Sequence, residues 1–414
     1  MKRSRITMAT LASGAVLASI VPWLLASCAS TDDLAPAPGP DPSTIPDATS
    51  PLGDGEPADA GGCDASDDDC VTNTISCDEA DWCPVPTTVD KLYSLTNVWG
   101  SGKDDVWATG SGGTVIHWDG AVWTPTVVPS GTQPVRDTFR ALWGSGPNDV
   151  WIASASDMIF HSTGFKDGTA SWEPMPATDS KSDSDRTALF AAWGTSPTDF
   201  RFGGGSSSYY APDSPEPIFT NQFVLDTSGK GIQWIRSKGF TFETVYGLWG
   251  PSANELWLIG DNRPQGSQIA RVLHGTRESV ASADFTWTQV DSKATTRLRG
   301  LWGSSANDVW VVGDNGTIRH FDANATEAEI VESTTRSNLN AVWGSGPNDI
   351  WVVGDSGTIL HFDGNSWSES VAAFLVGRKK PELYGIWGSG PDDVWIVGND
   401  VVLHHGPKQG GGGK

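Results

Sequence analysis

Residues 343–363 read WGSGPNDIWVVGDSGTILHFD, and near-copies of this stretch recur along the 414-residue chain. A Trp followed by Gly stands at Trp99, Trp143, Trp193, Trp249, Trp302, Trp343 and Trp387, with successive spacings of 44, 50, 56, 53, 41 and 44 residues. Six positions after each Trp there is an acid: Asp105, Asp149, Asp199, Glu255, Asp308, Asp349 or Asp393. Two residues further on a second Trp follows in six copies, and Arg201 takes its place in the third. Seven units with a period of 41–56 residues point to a propeller, in which each unit buries its faces only against its neighbours.

Each unit reads as four short strands. Leu339 to Trp343 represents the first, and the apolar Asp349 to Gly354 run the second, suited to a sheet covered on both faces. The third resembles Thr358 to Asp363, and the fourth begins near Trp123, Trp172, Trp234, Trp287, Ile330 or Trp367. Between strands two and three, Gly112-Gly113, Asn315-Gly316 and Ser356-Gly357 supply the positive φ angles that a tight reversal needs. The seventh unit lacks a fourth strand, because only GPKQGGGGK follows His405. A matching Trp82-Cys83-Pro84-Val85-Pro86 segment precedes the first unit. The expected fold is therefore all-β: a seven-bladed β-propeller of four-stranded blades over residues 80–406, closed by an N-terminal strand completing the last blade, with 407–414 as a flexible tail. Closure of this kind removes exposed sheet edges.

The run from Gly354 to Trp367 resembles the Asp-box and photosystem-assembly-factor type of propeller repeat, although units three and four match it poorly. The WGSGPND-type units are more similar still to the repeats of secreted lipoproteins from myxobacteria-like predatory bacteria. The resemblance covers about three quarters of the chain; it implies fold and export and carries little about activity.

The start of the chain fits that address. Met1 to Arg5 is basic, an apolar stretch follows, and Leu25-Ala26-Ser27-Cys28 resembles the lipobox of bacterial lipoproteins. Residues 1–27 are then a signal peptide and Cys28 carries the lipid, in place of an ordinary membrane span. More than one acyl chain makes such anchoring stable. Loss of Lys2, Arg3 and Arg5 takes the net charge from −23 to −26. Ala29 favours the outer membrane, with display outward or into the periplasm both open. Residues 28–62 are rich in Pro, Ala and Asp and cannot bury enough apolar surface to fold. Extended at about 3.1 Å per residue, they form a tether on the order of 100 Å long. The segment 63–83 holds Cys63, Cys70, Cys77 and Cys83, an even set in an exported chain, which implies two disulfides with three possible connectivities. Calcium binding at CDASDDDC is disfavoured, since the run lacks the Gly turn and closing Glu of a calcium loop. An acidic chain without basic runs excludes nucleic acid as a partner, and the membrane is reached through the lipid alone.

Gly354-Asp355-Ser356-Gly357 imitates the nucleophile motif of trypsin-like proteases, but Ser356 aligns with Gly112 and Asn315 in the same turn and is read as a turn residue. Six histidines share the third-strand position (His117, His161, His274, His320, His361 and His404). Spread around a ring they cannot converge on one metal ion. They are read as a repeated hydrogen bond to the acid or a Trp indole, the acids as turn caps, and the tryptophans mainly as core. No metal, cofactor or catalytic group is assigned, and the chain is read as a monomer.

Binding is sought where the copies disagree. Three residues before each first Trp the units carry Thr96, Arg140, Phe190, Tyr246, Arg299, Asn340 and Tyr384. Repeated packing demands similar residues, so variation there marks a position facing solvent or a ligand. The loop insertions at 176–186, 203–218, 261–268 and the basic 378–380 fall on the same side, and Tyr209 and Tyr210 are side chains suited to contacts. The expected ligand-binding residues are Arg140, Phe190, Tyr209, Tyr210, Tyr246, Arg299, Asn340 and Tyr384, engaging a protein or a glycan. The alternatives are an envelope assembly factor and a glycosidase or lyase at the channel, for which Arg140 and Arg299 supply two of the three arginines a sialidase-like site requires.

Overall fold

The computed structural model describes residues 63, 66–67, 69–156, 158–175, 187–206, 221–226, 231–236, 244–262, 269–281, 285–322 and 326–406. Cys28, Tyr209 and Tyr210 lie outside them.

The described chain is an all-β propeller. In the first unit β2 (Leu95–Gly102), β3 (Asp105–Gly110), β4 (Val115–Trp118) and β5 (Trp123–Thr126) form one antiparallel sheet in chain order. Units two, five and six repeat this arrangement. In the seventh, Leu383–Gly390, Asp393–Gly398 and Val401–His405 are joined by β1 (Cys83–Pro84), with Cys83 opposite His404 and Pro84 opposite Leu403.

Units three and four correct the expectation of seven separate sheets. They share a single eight-stranded sheet, so the described residues form six propeller sheets. The join is the pairing of Gly205 with Thr244. The second strand of unit three, Asp199–Ser206, runs two residues longer than the six-residue second strand of most units and ends in Gly203-Gly204-Gly205. These glycines let unit four come close: a Cβ on Gly203 would stand 2.7 Å from Val245 Cγ1.

The repeated Trp-Gly pair is the contact between units. The ring of Trp99 lies against Gly144 of the next unit, and the same holds for Trp193 on Gly250, Trp249 on Gly303, Trp302 on Gly344, Trp343 on Gly388 and Trp387 on Gly100. Only a hydrogen fits there; a Cβ on Gly344 would meet Trp302 Cη2 at 2.6 Å. At the one remaining junction Trp143 stacks on Phe200, with ring centroids 4.8 Å apart.

In four units the second Trp reaches further out, to the next unit's outer strand or the residue beside it. Trp107 meets Trp172 edge-on at 5.6 Å, Trp310 meets Trp367 at 5.6 Å, and Trp395 meets Trp123 at 5.3 Å. Trp351 meets Trp82 in the same way at 5.0 Å. Trp82 is wholly buried and its indole donates to Ser370 Oγ. The cores are thus apolar layers between successive units, and the seven first strands pack side by side in a cycle, the last against the first.

The acids do more than cap turns. In register, Trp107 of β3 faces Trp99 on one side and His117 on the other. His117 Nε2 sits 2.7 Å from Asp105 Oδ1, Ser101 Oγ donates to Asp105 Oδ2 at 2.5 Å, and the Trp107 indole donates to Oδ1. The histidine–acid contact recurs at 2.7–2.8 Å in units two, four, five, six and seven. Burial works to raise the Asp105, Asp149, Asp308 and Asp393 carboxyls, but the His, Ser and Trp donors outweigh it and hold them below the usual range.

Unit three replaces this device. Gln222 stands opposite Arg201, where other units pair His with Trp. Arg201 contacts Asp199 at 3.3 Å, and Arg277 from unit four reaches the other oxygen of Asp199 at 2.6 Å. Both guanidiniums lie over the Phe285 ring, at 4.7 and 4.8 Å. Burial lowers the Arg201 pKa to about 10.

The cysteines pair as Cys63–Cys70 and Cys77–Cys83. The first loop lies along residues 377–380: Cys63 N donates to Gly377 O, Val71 N to Arg378 O and Lys380 N to Asp69 O. Lys379 pairs with Asp67 at 2.8 Å and Arg378 with Asp400 at 3.3 Å. Two cations of the 378–380 triplet therefore fasten chain segments together and do not form an open basic patch.

Candidate functional site

Every first strand contains the same irregularity. The pairing of β2 with β3 skips from Leu95 to Asn97, which leaves Thr96 as an extra residue outside the ladder. The same skip sets apart Arg140, Phe190, Tyr246, Arg299, Asn340 and Tyr384 in the other six units. A bulge turns the extra side chain away from the alternation of the strand, and it is a common device beside functional sites. The variable position three before each Trp is this bulge residue, which explains how it varies without disturbing either packed face. A second skip, at Ser101 and its counterparts, delivers the Ser hydroxyl to the acid in most units.

All seven bulge residues line one cavity of about 840 Å³, within the range of ligand sites. Ser94, Asn97, Ser111, Thr138, Ala155 and Arg297 complete its wall. Ser94, Thr138 and Arg297 lie five residues before their Trp, two before the bulge. Their signal in the sequence is the period of two along the strand, not the single variable column.

The seven positions differ in how far they are committed within the protein. Thr96 Oγ1 donates to Phe139 O, and Asn340 Nδ2 donates both to Leu383 O and to Asp355 Oδ1, so these two also tie neighbouring first strands together. Arg299 is neutralised by Asp314. The Tyr246 hydroxyl donates to Asp261 Oδ2 at 3.0 Å. Burial raises the Tyr246 and Tyr384 phenol pKa values, and the neighbouring carboxylates add to it. Arg140 lies over Phe190 at 5.8 Å, Phe190 and Tyr246 are 5.8 Å apart, and Arg297 lies over Tyr246 at 4.8 Å. Ser356 is outside this wall and has φ 54°, with Gly357 at 66°; it belongs to a turn, as do Asn315 and Gly112.

No protein-family model matches the chain, and no curated protein matches it in sequence. Among solved structures it is similar to YCF48 bound to D1 peptide, with a TM-score of 0.58 and 16% identity over 83% of this chain and 100% of that one. It is also similar to YCF48 from Cyanidioschyzon merolae, with a TM-score of 0.56 and 16% identity over 79% and 99%. The WD40 β-propeller domain of Doa1 superposes with a TM-score of 0.58 and 11% identity, over 80% and 98%. At these identities the likeness establishes the β-propeller fold.

Proposed function

We propose that this protein is an extracytoplasmic, lipid-anchored propeller that binds a protein segment at the mouth of its central channel. In this reading residues 1–27 are removed, Cys28 carries the lipid, and 28–62 hold the propeller off an outer membrane. The eight-stranded sheet serves as two blade positions and β1 closes the ring. The observation that carries the reading is that seven out-of-ladder side chains, of five residue types, converge on one cavity. In this reading Tyr209 and Tyr210, outside the described residues, are further contact residues.

A structural neighbour, YCF48, holds a D1 peptide, which favours a protein partner over a glycan and supports a second reading as an envelope assembly factor. The test is selection from a random peptide library on the purified protein. Enriched peptides should lose binding at least tenfold with Tyr384→Ala, and with the Tyr209→Ala/Tyr210→Ala pair, while melting temperature is unchanged. A library that yields no enrichment, or peptides indifferent to Tyr384, would remove the channel mouth as the site. Co-purification with membrane complexes from native cells supports the assembly reading; a protein recovered without companions counts against it.

A further inference from the structure

The cavity wall is electrostatically opposite to the molecule that carries it. The chain has a net charge of −23, yet the charged side chains lining the cavity are Arg140, Arg297 and Arg299, and none of the lining residues is a carboxylate. Of the three, Arg299 is paired with Asp314. Among the described residues neither Arg140 nor Arg297 has a carboxylate within ion-pair distance. The Arg297 Nε is buried and meets no acceptor.

These two arginines end a ladder. Arg140, Phe190, Tyr246 and Arg297 come from four successive units, and three steps of 5.8, 5.8 and 4.8 Å connect them. A guanidinium stacked on a ring keeps its in-plane N–H donors directed outward, the geometry that takes a carboxylate in a two-pronged grip. The stacking also occupies ring surface on Phe190 and Tyr246 that a sugar would need. The opposite side of the mouth offers amides and phenol, with Asn340 already bonded to Asp355 and Tyr384 beside it.

We infer that the ligand is an acidic peptide segment that places two carboxylates on Arg140 and Arg297, with its backbone between them along the Phe190–Tyr246 edge. The three steps bound the separation of the guanidiniums at about 16 Å, so extended chain at about 3.3 Å per residue places the two acids within roughly five residues of each other. This inference rests on the protein-binding reading above and specifies its chemistry.

The experiment uses the purified protein and fluorescent ten-residue peptides carrying two glutamates one to five residues apart in a Gly/Ser/Tyr background. Glutamine and lysine twins and acidic oligogalacturonates are the comparisons, all read by anisotropy at two salt concentrations. At least one glutamate spacing should bind ten or more times tighter than its glutamine twin, and more weakly at high salt. Arg140→Gln and Arg297→Gln should each remove about tenfold from the glutamate peptide while leaving the melting temperature unchanged. Lys103→Gln, an equal change of charge at an exposed residue, should remove less than twofold. Glutamate and glutamine twins of equal affinity, both weakened by Tyr384→Ala, would overturn the acidic ligand and leave protein binding standing. Capture of the oligogalacturonates with no peptide bound would overturn both.

Discussion

At the scale of single residues, the junctions depend on one missing methyl group. A Cβ at Gly344 would stand 2.6 Å from Trp302 and 2.7 Å from the Asp349 carbonyl, whereas at Gly346 it would meet nothing within 4 Å. Gly344→Ala should cost about 1–3 kcal/mol, the usual range for overpacking, and Gly346→Ala less than about 1 kcal/mol; urea denaturation measures both. The acids make a second prediction. Asp105, Asp149, Asp308 and Asp393 have folded pKa values below their unfolded values near 3.9. Their contribution is complete above that pH and is lost as pH falls through the lower folded values. The urea midpoint should therefore be flat with respect to these groups above about pH 5 and fall below pH 4, and Asp308→Asn should flatten that fall. The Trp, Gly, acid and His columns were legible because each recurs at a fixed offset, and recurrence reports a shared packing role. Arg297 was not, because it is the one cation in a column whose other members are Ser94, Thr138, Ala188, Thr244, Asn338 and Glu382, with no shared chemistry to mark the position.

At the scale of elements, β1 and the segment before it bear more than two residue pairs suggest. Trp82 fills, against Trp351, the place that Trp123, Trp172 and Trp367 fill in other units. Trp82→Ala should cost about 3–5 kcal/mol, as for other large aromatics cut back in a core. Deleting residues up to Pro84 exposes the edge of Val401–His405 and should yield oligomers by size-exclusion chromatography. Unit three makes a different demand. Asp199 is buried and takes a contact from each of Arg201 and Arg277, so Arg277→Met should destabilise by about 3–5 kcal/mol. The sequence marks unit three as deviant through Arg201, but nothing in it announces that Arg277, 76 positions later, supplies the answering charge. The fused sheet was equally hidden: three glycines read as a loop insertion until Gly205 is seen to pair with Thr244. Disulfide pairing was beyond spacing alone, since four cysteines allow three arrangements.

At the scale of the whole molecule, the first strands form a cycle, so no unit is terminal in the way the end of an open solenoid is. Unfolding should be a single event: near-ultraviolet dichroism of the tryptophans and far-ultraviolet dichroism of the sheets should give coincident urea transitions. Trp82→Ala, which loosens the last junction, should shift the whole transition, and a separate early phase would show that the ring opens first. The same cycle is what places seven residues from distant parts of the chain around one opening.

The bulge gives that opening an unusual independence. In an ordinary strand each side chain belongs to one packed face or the other, and changing it changes stability. Here one residue per unit belongs to neither; Thr96, Tyr246, Arg299 and Asn340 are also bonded within the protein, which leaves Arg140 and Phe190 as the letters most freely rewritten. A lineage copying this unit could acquire new recognition by substitution at such codons, with no change in length or register. An engineer randomising Arg140 and Phe190 while keeping Thr96, Tyr246, Arg299 and Asn340 should recover mostly folded molecules, each presenting a different chemistry at the same entrance.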